Sequence, residues 1–210
     1  VPRMGGILIW AIPALLAVLL RFLLAFTDRP LFFKLNFLSR SQTWLPLFTL
    51  VSASLVGLID DLKQVFGKGH YVAGGMRFSR RLFLILLIAA VGAWWFYVKL
   101  EVSHVFIPFF GELELGWFFP LFFILVMLAT FSGSVIDGLD GLAGGVMASI
   151  FAAYAGIAFF QEQFDLAAFS AVVAGAIGAF LWFNIPPARF YMGETGILGL
   201  TPSLTVVAFL

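Results

Sequence analysis

Apolar runs about as long as a membrane core is thick recur along the chain, at about residues 4–26, 43–59, 82–98, 117–135, 142–160, 166–183 and from 197 onward. Roughly 20 apolar residues carry a helix across a bilayer, so the spacing predicts about seven transmembrane helices. Apolar residues make up 62% of the chain and charged residues 11%, with mean hydropathy +1.08. A soluble fold is excluded. The runs are continuous and do not alternate, which also excludes an outer-membrane barrel. The expected fold class is all-α, a polytopic transmembrane helical bundle forming a single domain over residues 1–210. The stretch "HVFIPFFGELELGW" (104–117) alternates apolar and polar residues around Gly111 and predicts a short external hairpin.

Charge fixes the orientation. If the first run leaves the cytoplasm, Arg3, Lys63, Lys68, Arg77, Arg80, Arg81 and Arg189 fall on the cytoplasmic side, and Glu101, Glu112, Glu114, Glu162 and Asp165 on the other. That division follows the positive-inside rule. One loop opposes it, with Arg29, Lys34 and Arg40 outside. A net charge of +1 without a basic block gives no reason to expect nucleic acid. The absence of cysteine excludes disulfides and thiolate chemistry. His70 reads as a solvated loop residue, His104 and Arg21 as interfacial side chains. The chain begins without Met and its last apolar run stops at Leu210, so a piece of a longer protein, truncated at both ends, is expected.

Three stretches place carboxylates at the same end of the helices: "GLIDDLK" with Asp60 and Asp61, "IDGLDGLAGG" with Asp137 and Asp140, and "FYMGETG" with Glu194. Adjacent acids at one helix end often mark no more than the membrane boundary. Charged groups at membrane depth nevertheless cost about 2.5–3.5 kcal/mol each on insertion scales, and three sites on one face call for a common partner. A hard divalent cation such as Mg²⁺ takes carboxylate oxygens together with substrate phosphates. With basic residues in the same loops, this is equipment for phosphoryl transfer from a diphosphate. A secondary transporter would instead place its charges near the midplane, in repeated halves. A non-catalytic membrane subunit is the other alternative.

In order along the chain, "PRMGGI" (2–7), "GLIDDLK" (57–63), "DGLDGLAGG" (137–145) and "WFNIPPARFYMGETG" (182–196) resemble the motifs of the polyprenyl-phosphate N-acetylhexosamine-1-phosphate transferases. The resemblance covers nearly the whole chain. "PRMGG" and "PPARFYMGE" are more similar to the muramoyl-pentapeptide branch than to the GlcNAc-1-phosphate branch, which is the alternative. The resemblance implies transfer of phospho-MurNAc-pentapeptide from a UDP-sugar to undecaprenyl phosphate with Mg²⁺, forming lipid I and UMP at the cytoplasmic face of the plasma membrane. It leaves room for a homodimer. It implies catalytic roles for Asp60 and Asp61, substrate binding by Asp137, Asp140, Asn184 and Tyr191, and metal ligation by Glu194 where the family has Asp. Phe131 and Ser134 stand where the family has asparagines. Further helices and a His-rich loop of the family fall outside the chain, so the isolated 210 residues are expected to be inactive.

Overall fold

The computed structural model describes residues 3–26, 37, 43–67, 75–107, 110–133 and 138–210. Among them seven α-helices appear: α1 (Gly6–Phe26), α2 (Trp44–Val65), α3 (Phe78–Trp94), α4 (Phe119–Ser132), α5 (Leu142–Phe160), α6 (Phe164–Asn184) and α7 (Glu194–Phe209). α3 continues as a π-helical turn, Trp95–Lys99. Five of the helical spans are long and apolar enough to cross a membrane, and the spans containing α4 and α7 are shorter. The chain is a multi-pass membrane protein. Between α3 and α4 the expected hairpin forms, with β1 (His104–Ile107) antiparallel to β2 (Gly111–Glu114) and His104 opposite Glu114. His104 is exposed there. Arg21 sits over the Trp44 ring, 5.6 Å from its centroid. Lys68, His70, Ser134 and Asp137, and the loop cations Arg29, Lys34 and Arg40, lie outside the described residues.

Helix ends differ from expectation where it matters most. α2 does not stop at residue 59 but runs on to Val65, so Asp60 and Asp61 belong to the helix and not to a loop. α3 begins at Phe78, which brings Arg80 and Arg81 into its first turn, and α7 begins at Glu194. Hydropathy ends a span at its first charge, whereas backbone hydrogen bonding continues wherever a buried charge finds a partner.

α7 is the hub. It packs along α2 and touches α1, α3, α4 and α5, and it is buried over almost its whole length. A helix apolar on every side can be buried on every side. Its hydroxyls fasten it to the surrounding helices: Thr195 Oγ1 donates to the Ser54 carbonyl at 3.2 Å, Ser203 Oγ to that of Pro46 at 3.2 Å, and the Thr205 and Thr130 hydroxyls lie 2.6 Å apart. Interhelical hydrogen bonds of this kind are worth up to 1–2 kcal/mol or so in a bilayer. A side chain at Gly57 would collide with the backbone of Glu194 and Thr195, so α2 and α7 touch main chain to main chain beside the paired aspartates. Outward, α1 exposes Leu15, Val18, Leu19 and Phe22, an apolar face suited to lipid.

Candidate active site

The paired aspartates point to different partners. Asp61 Oδ1 accepts the N–H of Glu194 at 3.1 Å and Oδ2 that of Thr195 at 2.9 Å. These are N–H groups of the first turn of α7, which have no partner within their own helix. Asp61 thus supplies from α2 the cap that α7 lacks locally, since the residue at the N-cap is Gly193. The positive end of the helix favours the carboxylate. Gly193 has φ 73°, a left-handed conformation that glycine adopts without strain, and a Cβ there would lie 2.7 Å from Asp61 Oδ2.

Asp60 is fully buried. Its Oδ1 accepts the N–H of Met76, which ties the start of α3 to α2. Its Oδ2 is buried and accepts no hydrogen bond, with Arg81 Nη2 at 3.5 Å. The other arm of the same guanidinium, Nη1, lies 2.5 Å from Glu194 Oε1. Arg81 therefore bridges α2 and α7 across the two carboxylates. Among the described residues no three His, Asp or Glu side chains gather as a ready metal site. Mg²⁺ needs only one or two carboxylates beside substrate phosphates. Glu194 and the under-satisfied Oδ2 of Asp60 offer hard oxygen donors of that type, so the residues present fit such an ion.

The N-terminal "RMGG" stretch completes the site. Arg3 pairs with Tyr191 in a parallel bridge, Gly5 N–H donates to the Tyr191 carbonyl at 2.9 Å, and Gly6 N–H to that of Met192 at 2.8 Å. Gly6 lies so close to Gly196 that a Cβ on it would strike the Gly196 backbone. The second glycine of "GETG" thus serves close packing of α1 on α7, whereas the turn itself rests on Gly193. A cavity of about 300 Å³ opens between these segments, lined by Arg3, Asp61, Gln64, Tyr191, Gly193 and Glu194 among others.

Asp140 and Asn184 do not line that cavity but bind the loops next to it. Asp140 accepts the Tyr191 hydroxyl at 2.7 Å and the Ala188 N–H at 3.0 Å. The tyrosine hydroxyl first, then the Ala188 N–H, hold its carboxyl below the ordinary carboxylate range. Asn184 is buried, accepts the Gly141 N–H at 2.9 Å and donates to the Phe190 carbonyl at 3.0 Å. It ties the loop before α5 to the loop before α7. Of the residues singled out in the sequence, the fold brings Asp61, Tyr191 and Glu194 to the cavity wall, sets Asp60 beside them through Arg81, and uses Asp140 and Asn184 to shape the loops. Phe131, in an expected polar position, is buried against Ala53, Ile85 and Leu198 and lies near the Phe78 ring. Sequence reading passed over Gln64, although it lies three and four residues after the aspartates, on their side of a helix. It also counted Arg81 only as a loop cation.

A family model described as glycosyl transferase family 4 matches residues 43–210. The chain belongs to glycosyl transferase family 4. The match takes in the paired aspartates, Arg81, Asp140 and the whole "PPARFYMGETG" segment. Curated relatives extend the likeness through α1: the phospho-N-acetylmuramoyl-pentapeptide-transferase of Chloroflexus aurantiacus (strain ATCC 29366 / DSM 635 / J-10-fl) is 33% identical over 214 residues, 99% of this chain and 54% of the relative. That of Chloroflexus aggregans is 33% identical over the same shares. The protein of the same name from Listeria innocua is 36% identical over 174 residues, 81% of this chain and 52% of its own length. The chain spans about half the length of the curated relatives it matches. Within glycosyl transferase family 4, the site here is one end of the bundle, where α1, α3, α5 and α7 start and α2, α4 and α6 finish.

Proposed function

We propose that the protein carrying this chain transfers phospho-MurNAc-pentapeptide from UDP-MurNAc-pentapeptide to undecaprenyl phosphate, releasing UMP and forming lipid I for peptidoglycan, at the cytoplasmic face of the plasma (inner) membrane. The observation that carries this reading is the cavity joining Arg3, Asp61, Tyr191 and Glu194 at one end of the bundle, in a chain whose relatives bear that activity in their names. A site at a helix-bundle end meets a lipid phosphate and a soluble nucleotide sugar at once.

In the proposed reaction an oxygen of the lipid phosphate attacks the β-phosphorus of the UDP-sugar. A new P–O bond forms, the bond from that phosphorus to the oxygen bridging the two phosphates breaks, and its electron pair leaves with UMP. A phosphate monoester near neutral pH is already largely ionised, so orientation matters more than proton removal. Asp61, on the cavity wall, orients the attacking group and holds the start of α7 in register, while the fully buried Asp60 keeps Arg81 beside Glu194. Arg3 provides positive charge for the diphosphate at the cavity wall. Tyr191, its hydroxyl fixed by Asp140, offers a ring for the uracil to stack on. Mg²⁺, held by Glu194 with Asp60, would supply Lewis-acid stabilisation of the diphosphate charge.

The test is turnover by the detergent-solubilised full-length protein, given undecaprenyl phosphate and either UDP-MurNAc-pentapeptide or UDP-GlcNAc, with the lipid product identified by mass. Lipid I from the first donor alone is expected. Product from UDP-GlcNAc alone would favour the GlcNAc-1-phosphate reaction, and product from neither would leave a non-catalytic subunit or a transporter.

A further inference from the structure

Arg81 is placed unusually for a cation. It lies in the first turn of α3, where the helix's own N-terminal N–H groups disfavour positive charge. Its side chain is largely withdrawn from solvent, and its Nε is buried without a hydrogen-bond partner. What holds it there is the pair of carboxylates, Glu194 Oε1 at 2.5 Å and Asp60 Oδ2 at 3.5 Å. Two carboxylates this close repel unless a cation lies between them, and the guanidinium meets that need across two helices. The bridge is lopsided. A charge-assisted N–H···O bond is normally about 2.7–2.9 Å, so Asp60 is served far less well than Glu194.

We infer that Arg81 competes with the divalent cation for Glu194, so that metal entry requires the guanidinium to release that carboxylate, and Arg81 thereby sets the metal affinity of the site. The inference rests on the reading that Glu194 is a metal ligand. An ion that takes Glu194 loses the attraction already shared with Arg81 and is repelled by the same guanidinium. Arg81 is accordingly a positioning residue, with two effects: it keeps Asp60 and Glu194 apposed in the metal-free protein, and it weakens metal binding. Metal binding then becomes more favourable once substrate phosphates supply further ligands and negative charge. Arg77 and Arg80, in the same stretch, are exposed and do not take this part.

Mn²⁺ is the probe, titrated by electron paramagnetic resonance into the full-length protein without substrate. Arg81→Met should bind Mn²⁺ about tenfold more tightly than the parent, the scale expected from removing one nearby positive charge at a partly hydrated site. Arg81→Lys keeps the charge but replaces a fork with a point charge that cannot span both carboxylates, and should tighten binding about threefold. Glu194→Gln should abolish the site in every background. Mn²⁺ binding that is sensitive to Glu194→Gln but no tighter in Arg81→Met overturns the inference and leaves the metal reading standing. Should Arg81→Met fail to fold, unchanged or weaker binding by Arg81→Lys overturns it equally. No Glu194-dependent Mn²⁺ signal in any of the proteins overturns both.

Discussion

Asp61 closes the start of α7 from 134 positions away in the chain, its Oδ2 accepting the Thr195 N–H at 2.9 Å while its Oδ1 accepts that of Glu194 at 3.1 Å. A cap is usually local, supplied by the residue just before the helix. Here the helix is entered through a glycine, and a neighbouring helix reaches in. Loss of this carboxylate should be felt as instability as well as lost activity. Asp61→Ala is expected to destabilise the protein by about 1–3 kcal/mol, the cost of stranding buried donors, measured by thermal or denaturant unfolding in detergent. Asp61→Asn, which keeps one acceptor oxygen, should lie between.

Glu194 gives the opposite pattern. Its backbone N–H is tied to Asp61, but its carboxylate serves Arg81 at the cavity wall. Glu194→Gln should abolish transfer in the full-length enzyme, with a loss of at least about 100-fold in turnover, as for a group stabilising developing charge. Its melting temperature should change less than that of Asp61→Ala. Near-normal turnover would remove the metal role from this residue.

Gly193 joins the two. Its φ of 73° is a left-handed conformation, and an added methyl would approach Asp61 Oδ2 to 2.7 Å. Gly193→Ala should therefore cost about 1–3 kcal/mol of strain and pull Asp61 from its cap. Unfolding of the single variant and of the double variant with Asp61→Ala would check this, because once the cap is gone the second substitution should add less than the sum.

Asp140 carries a pH signature. Its folded-state pKa lies below the ordinary 3.8. A depressed carboxyl contributes stability that is present above the unfolded value and disappears as pH falls through the folded one. Unfolding measured from pH 5 downward should show stability declining in acid. Tyr191→Phe removes the foremost cause and should flatten that decline while the Ala188 N–H bond remains. An unchanged acid limb in Tyr191→Phe would show that Asp140 does not report on this contact.

The spans were legible because crossing a membrane is a one-dimensional demand: enough consecutive apolar residues, whatever their neighbours. α5 starts and ends where hydropathy placed it, Leu142–Phe160, and the hairpin at 104–114 followed from alternation about Gly111. The carboxylates at one end were legible too, since charges interrupt the runs. The start of α3 and the end of α2 were not. There Arg81 meets Asp60 and Glu194, and Asp60 accepts the Met76 N–H, so these buried charges interrupt the apolar pattern without interrupting the helices.

The sequence by itself determined a bundle of membrane helices, its acids gathered at one end, and the motifs of its family. Only the tertiary structure decided what each acid does. Asp60 and Asp61 are neighbours on α2, yet successive helical positions are rotated by about 100° and face different partners: one meets the Arg81 guanidinium, the other the open N–H groups of α7. Spacing along the chain carries no record of which helix will lie opposite, and that choice divides a buried anchor for a cation from a helix cap at the cavity wall.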